Sequence, residues 1–188
     1  MAKSALLVMD VQRDVVAIAD DGSGYLPRLR RAIDGARAAE IPVIYVVMGL
    51  RPGAPEISPR NKVMANVVRA GLFTEGEPGT EIHDEVVPRQ GEVVVTKRRG
   101  SAFSGSDLDL VLRARDIDSL VLTGIATSAV VLSTLWRAID LDFGVTVLSD
   151  GCLDTDPVVH TMLTEKLFPQ WAEVLTIEDW LTAIASRQ

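Results

Sequence analysis

Asp118-Ser119-Leu120-Val121-Leu122-Thr123-Gly124-Ile125-Ala126-Thr127-Ser128-Ala129-Val130 is the stretch that decides the fold. Residues 118–124 form a short, nearly continuous apolar run, which predicts a strand covered on both faces, as in a parallel sheet packed between helices. Helical spacing resumes at Thr127 and runs to Leu141, so the strand feeds directly into a helix. The Gly124–Val130 turn then offers backbone N–H groups at a helix start, where the macrodipole favours an oxyanion or carboxylate. A plain strand-to-helix turn capped by Thr127 or Ser128 has the same pattern and requires no ligand.

Working outward, similar runs lie at Ala5–Asp10, Pro42–Met48, Glu92–Thr96, Gly144–Asp150 and Ala172–Ile177, giving six buried strands with the first. Helical patterns separate them. Tyr25–Glu40 gathers Leu26, Leu29, Ile33 and Ala36 on one face; Asp107–Arg115 follows Ser104 and Ser106, both suited to N-capping; Asp156–Phe168 and Glu178–Arg187 complete the set. This alternation predicts an α/β fold: a three-layer αβα, Rossmann-like arrangement around a six-stranded, mostly parallel, doubly wound sheet. Gly49–Thr80 interrupts the rhythm with Pro52, Gly53, Pro55, Pro59, Gly76, Pro78 and Gly79, and is expected to be a long loop, either a lid over a site or a surface insertion.

The chain has 188 residues, 47% of them apolar, which suits a single domain spanning residues 1–188. A net charge of −7 argues against a nucleic-acid or membrane partner, because such surfaces require clustered Lys and Arg. The apolar start Ala5–Met9 is too short for a signal-peptide core, and no window approaches the roughly 20 apolar residues of a membrane span. A cytoplasmic location is expected, and a lone cysteine, Cys152, forms no intrachain disulfide.

In an open α/β sheet, ligands bind beyond the carboxyl ends of the strands. Asp10 and Lys97 stand at such ends, as does the Gly124–Thr127 turn; Asp10 and Lys97 also suit a structural ion pair. The turn after the first strand, Asp10-Val11-Gln12-Arg13-Asp14, lacks the glycines that admit a dinucleotide pyrophosphate, and no cofactor is expected.

Four blocks together resemble the isochorismatase-like hydrolase superfamily, a cysteine hydrolase family. They are Leu6-Leu7-Val8-Met9-Asp10-Val11-Gln12; Lys97-Arg98-Arg99-Gly100-Ser101-Ala102-Phe103; Val121-Leu122-Thr123-Gly124-Ile125-Ala126-Thr127; and Val145–Asp154. The resemblance implies Asp10 as catalytic acid/base, Lys97 as catalytic lysine, a cis peptide before Ala126, and an oxyanion site from the backbone of Ala126 and Val130. It places Gln12, Phe103, Ile125, Ala126, Thr127 and Ser128 at the substrate, and it implies a homodimer or homotetramer. Arg60, in the excursion, is the expected anion-binding arginine because its planar fork suits a carboxylate. Trp136 is expected to wall the pocket, fill the core or meet another subunit.

The chain departs from the family where the nucleophilic cysteine belongs, because that position holds Val130. A valine has no nucleophile, so thiolate attack and a thioester intermediate are ruled out there. Cys152, placed after the fifth strand, is expected to be a core thiol, and Ser128 to face another side of the turn. Arg51–Ala70 contains neither His nor Asp, and His83 and His160 stand apart as surface or packing residues, so no metal is expected. What survives is acid–base chemistry of the vinyl-ether type used by true isochorismatases, on a small carboxylate-bearing molecule, with a catalytically inactive ligand-binding or assembly homologue as the alternative. If Val130 marks the nucleophile position, Val130→Cys puts a thiol at a helix start, where the thiolate is favoured. Iodoacetamide labelling of that variant near neutral pH should run much faster than at Cys152; an inert thiol in a folded variant would make Val130 ordinary core.

Overall fold

A computed structural model describes residues 3–20 and 22–186. Six strands, β1 (Ser4–Met9), β2 (Val43–Met48), β3 (Val93–Lys97), β4 (Ser119–Ile125), β5 (Gly144–Leu153) and β6 (Glu173–Leu175), form one sheet in the order β3-β2-β1-β4-β5-β6. Every neighbouring pair is parallel. The helices are α1 (Arg13–Ala19), α2 (Tyr25–Ala38), α3 (Lys62–Arg69), α4 (Leu108–Ala114), α5 (Leu132–Asp140), α6 (Pro157–Met162) and α7 (Ile177–Ala185). The last covers most of the helix expected over Glu178–Arg187, of which Arg187 lies outside the described residues.

The two-residue period of a strand divides the core. Leu7 and Met9 of β1 enter one cluster with Ile44, Val46, Leu122, Leu112 of α4 and Leu135 of α5. Leu6 and Val8 enter the other with Tyr45, Val121, Leu29 and Ile33 of α2, and Trp180 of α7. Because both faces are covered, β1 is buried at every position after Ser4, and this is why its sequence shows no alternation. Each fully buried Leu or Ile contributes on the order of 1.5–3 kcal/mol, so this central strand anchors both layers.

Three elements differ from the sequence expectation. Residues 13–19 are helical although only Val16 is buried, which left no apolar stripe to read. Within the excursion, Asn61 caps α3 by accepting from the Met64 N–H, and Met64 packs on Met48 and Leu50. The excursion is therefore partly folded rather than a plain loop. The register between β4 and β5 shifts after Leu122, so that Gly124 pairs with Cys152; the cysteine lies inside β5, not after it.

Chain order reverses between β1 and β4, which makes the carboxyl ends of these adjacent strands the walls of a crevice. Gly124 pairs with Met9 at the carboxyl end of β1, where the two backbones leave no room for a side chain. Its φ is +142°, and a Cβ there would lie 2.2 Å from the Met9 carbonyl oxygen. Gly124→Ala should therefore cost about 2–4 kcal/mol through strain and displaced backbone, read as a lowered urea midpoint.

Candidate functional site

Asp10 follows β1 with a φ of +54°, its N–H donating to the Val46 carbonyl at 2.8 Å. Lys97 is the last residue of β3 and reaches past the end of β2, placing Nζ 2.8 Å from Asp10 Oδ2 and donating to the Arg99 carbonyl at 3.0 Å. Exposure is 0% for Lys97 and 5% for Asp10. Oδ1 of Asp10 is buried and has no hydrogen-bond partner among the described residues. Burial pushes the Asp10 carboxyl above its ordinary range, outweighing the Lys97 ammonium that pulls it down. The ion pair exists, and it leaves one carboxyl oxygen uncommitted.

On the other wall, the Ile125–Ala126 peptide is cis, and the chain makes one π-type turn over Thr127–Val131 before α5 begins. No side chain of the turn itself caps it; the Ser128 N–H instead donates to Asp154 Oδ2 at 2.7 Å. Thr127 is fully buried, with Oγ1 2.8 Å from His160 Nδ1, while the Ser128 side chain is exposed. Val130 is 1% exposed and belongs to the first core cluster, so a thiol placed there calls for a small alkylating reagent. Asp154 and His160 were not singled out from sequence as supports of this turn. Asp154 closed the fourth family block, which was the available signal for it; His160 carried none, because its partner is 33 positions away.

The other expected residues divide. Ile125 is buried and Ala126 half-buried at the end of β4. Gln12 is fully buried, with its amide nitrogen donating to the carbonyls of Met48 (2.9 Å) and Thr80 (2.7 Å) and its amide oxygen accepting from the Met48 N–H (2.9 Å). Both amide hydrogens are therefore committed, and Gln12 fastens the excursion instead of facing a ligand. Arg60 is exposed ahead of α3, and its side chain forms no ion pair among the described residues. Two arginines just after Lys97 tie the excursion to the end of β3: Arg99 donates to the Glu56 carbonyl at 2.7 Å, and Arg98 donates to the Gly49 carbonyl at 2.6 Å and pairs with Glu75. Phe103 is half-buried against Phe143, ring centroids 5.9 Å apart. Trp136 does not fill the core; it is 37% exposed and lies against Trp171 at 5.0 Å. Cys152 is 3% exposed, and burial drives its thiol far above the ordinary range, so it is neutral at neutral pH.

Known proteins resemble this chain in sequence and in fold. The Isochorismatase domain model matches residues 4–179. An uncharacterized isochorismatase family protein, YwoC of Bacillus subtilis, is 30% identical, the match covering 97% of this chain and 94% of that protein. Ureidoacrylate amidohydrolase RutB of Stutzerimonas stutzeri is 32% identical over 98% of this chain and 80% of its own. The crystal structure of a cysteine hydrolase from Pseudomonas syringae pv. phaseolicola superposes with a TM-score of 0.86 over 99% of this chain and 94% of that one, at 23% identity, a likeness of fold.

Removing one partner of the buried pair exposes its energetics. Asp10→Asn strands an ammonium that is 0% exposed and should cost about 3–5 kcal/mol. Lys97→Met should cost less, because a carboxyl already raised by burial escapes by taking up a proton; its stability is full at low pH and declines as pH rises through the Asp10 pKa. Urea unfolding of both single variants and the double variant across pH checks this, the double variant being expected above Asp10→Asn.

Proposed function

The chain belongs to the isochorismatase family of hydrolases, and we propose that it hydrolyses a small carboxylate-bearing vinyl ether by noncovalent acid–base chemistry. One observation carries this reading: Asp10 keeps Oδ1 unpartnered in a buried site while Oδ2 is held by Lys97. A carboxyl with a raised pKa takes up a proton more readily than an ordinary one, and the lysine on Oδ2 directs that proton onto the free oxygen. Asp10 would protonate the terminal carbon of an enol ether, leaving an oxocarbenium ion. Water then adds to the oxygen-bearing carbon and returns a proton to Asp10, and the hemiketal falls apart to a ketone and an alcohol. The start of α5, with the Ala126–Val130 turn, suits the substrate carboxylate.

RutB is named an amidohydrolase, yet this chain has Val130 where a family nucleophile would stand, and Cys152 is buried and neutral. The covalent route has no nucleophile at either place. A second reading, an inactive ligand-binding or assembly homologue, is favoured by closure: Asp10, Lys97 and Val130 are all 5% exposed or less. Under the catalytic reading the excursion must move to admit substrate.

Incubation with enolpyruvyl ethers of cyclohexadienyl carboxylates, monitored for pyruvate, separates these readings. Wild type and Cys152→Ser should release pyruvate equally, and Asp10→Asn should lose roughly 10²–10⁴-fold. Since the protonated acid is required, the rate should fall as pH rises through the raised Asp10 pKa. Thermal stabilisation by these carboxylates without pyruvate release would establish the binding homologue.

A further inference from the structure

Thr127 opens the turn that carries Val130, and its hydroxyl is fully buried. The one hydrogen-bond partner of that hydroxyl among the described residues is His160 Nδ1, at 2.8 Å. A hydroxyl with a single partner gives its proton to an unprotonated ring nitrogen, which leaves the imidazole proton on Nε2. His160 stands in α6 and is half-buried, and the ring also borders a cavity of about 310 Å³ lined by Ser149, Asp150, Thr161, Thr164 and Glu165. The imidazole thus touches the turn on one side, and His160 lines an open recess on the other.

We propose that His160 is a positioning residue for the Ala126–Val130 turn, its Nδ1 accepting the Thr127 hydroxyl, and that a proton reaching the ring from the recess breaks this bond and loosens the turn. The proposal rests on the preceding functional reading only in giving the turn a role toward substrate. Protonation converts Nδ1 into a donor, so two donors face each other and the buried hydroxyl hydrogen loses its acceptor. The charged groups around the ring are acidic: Asp154 at the end of β5, Asp150 and Glu165 along the recess, and Asp156 capping α6 one turn earlier. Asp154 favours the imidazolium, but burial outweighs it and holds His160 below the ordinary histidine range. A group with a depressed folded-state pKa contributes order above its unfolded pKa and loses it as pH falls through the folded value. The turn is therefore tight at neutral pH and loosened in acid.

Long-range ¹⁵N–¹H spectra of the full chain should show His160 with Nδ1 unprotonated and a pKa below that of an ordinary histidine. Amide protection factors over Ser128–Leu132 should fall roughly three- to tenfold as pH drops from neutral through the His160 pKa read from those spectra, the scale of one lost hydrogen bond. His160→Asn supplies an acceptor that does not titrate and should remove this pH dependence; Thr127→Val, nearly the same shape, should remove it as well and carries the test if the first variant fails to fold. An Nδ1–H tautomer, or an undiminished loss of protection in either variant, overturns the proposal. None of these readouts requires turnover, so their failure leaves the vinyl-ether reading standing, and hydrolysis insensitive to Asp10→Asn would leave the His160 device untouched.

Discussion

The ion pair between Asp10 and Lys97 is the constraint around which the carboxyl end of the sheet is arranged. It spans from β1 to β3 across the end of β2, joining strands that are not neighbours. Two charges removed from water at this depth persist only with close geometry and further hydrogen bonds. The Arg99 carbonyl supplies one such bond to the ammonium, which fixes the course of the chain just after β3. Arg99 in turn holds the excursion through the Glu56 carbonyl, so the pair governs what lies above it as well as what lies beside it.

The sheet and its crevice were legible because they depend on local pattern. Unbroken apolar runs marked strands buried on both faces, and Gly124 marked the end of β4 and the start of the turn, while its close approach to Met9 of β1 came only with the structure. Asp10 and Lys97 were legible as strand-end residues for the same reason. The roles of Gln12 and His160 depend on long-range geometry, which periodicity does not encode: Gln12 meets Met48 and Thr80, and His160 meets Thr127. Helix α1 buries only Val16, so it presented no stripe. Helix α3 and its Asn61 cap went unread, because the Pro and Gly residues on both sides made the whole segment read as loop.

Val130 changes the meaning of an otherwise familiar constellation. A turn at the start of a helix, an acid and a lysine stand at the same end of the sheet, and under the proposed reading Val130, an apolar group continuous with Val131, Leu135 and the first core cluster, stands where a nucleophile would. On that reading the chemistry left to the site is proton transfer and anion binding, both of which depend on exclusion of water. The near-complete burial of the pair provides that exclusion.

The bracket formed by Gln12 has a consequence for how such a fold diversifies. One side chain grips the last residue of β2 and also Thr80, so the chain between them leaves the sheet and comes back to Gln12, just beyond β1, at a fixed seam. Lengthening a loop whose ends are already held together costs little, about 0.6 kcal/mol for each doubling. The segment above the crevice can therefore gain or lose residues without disturbing either core. Under the proposed function, a change of ligand preference is free to accumulate there as insertions, while the Asp10–Lys97 pair beneath stays fixed.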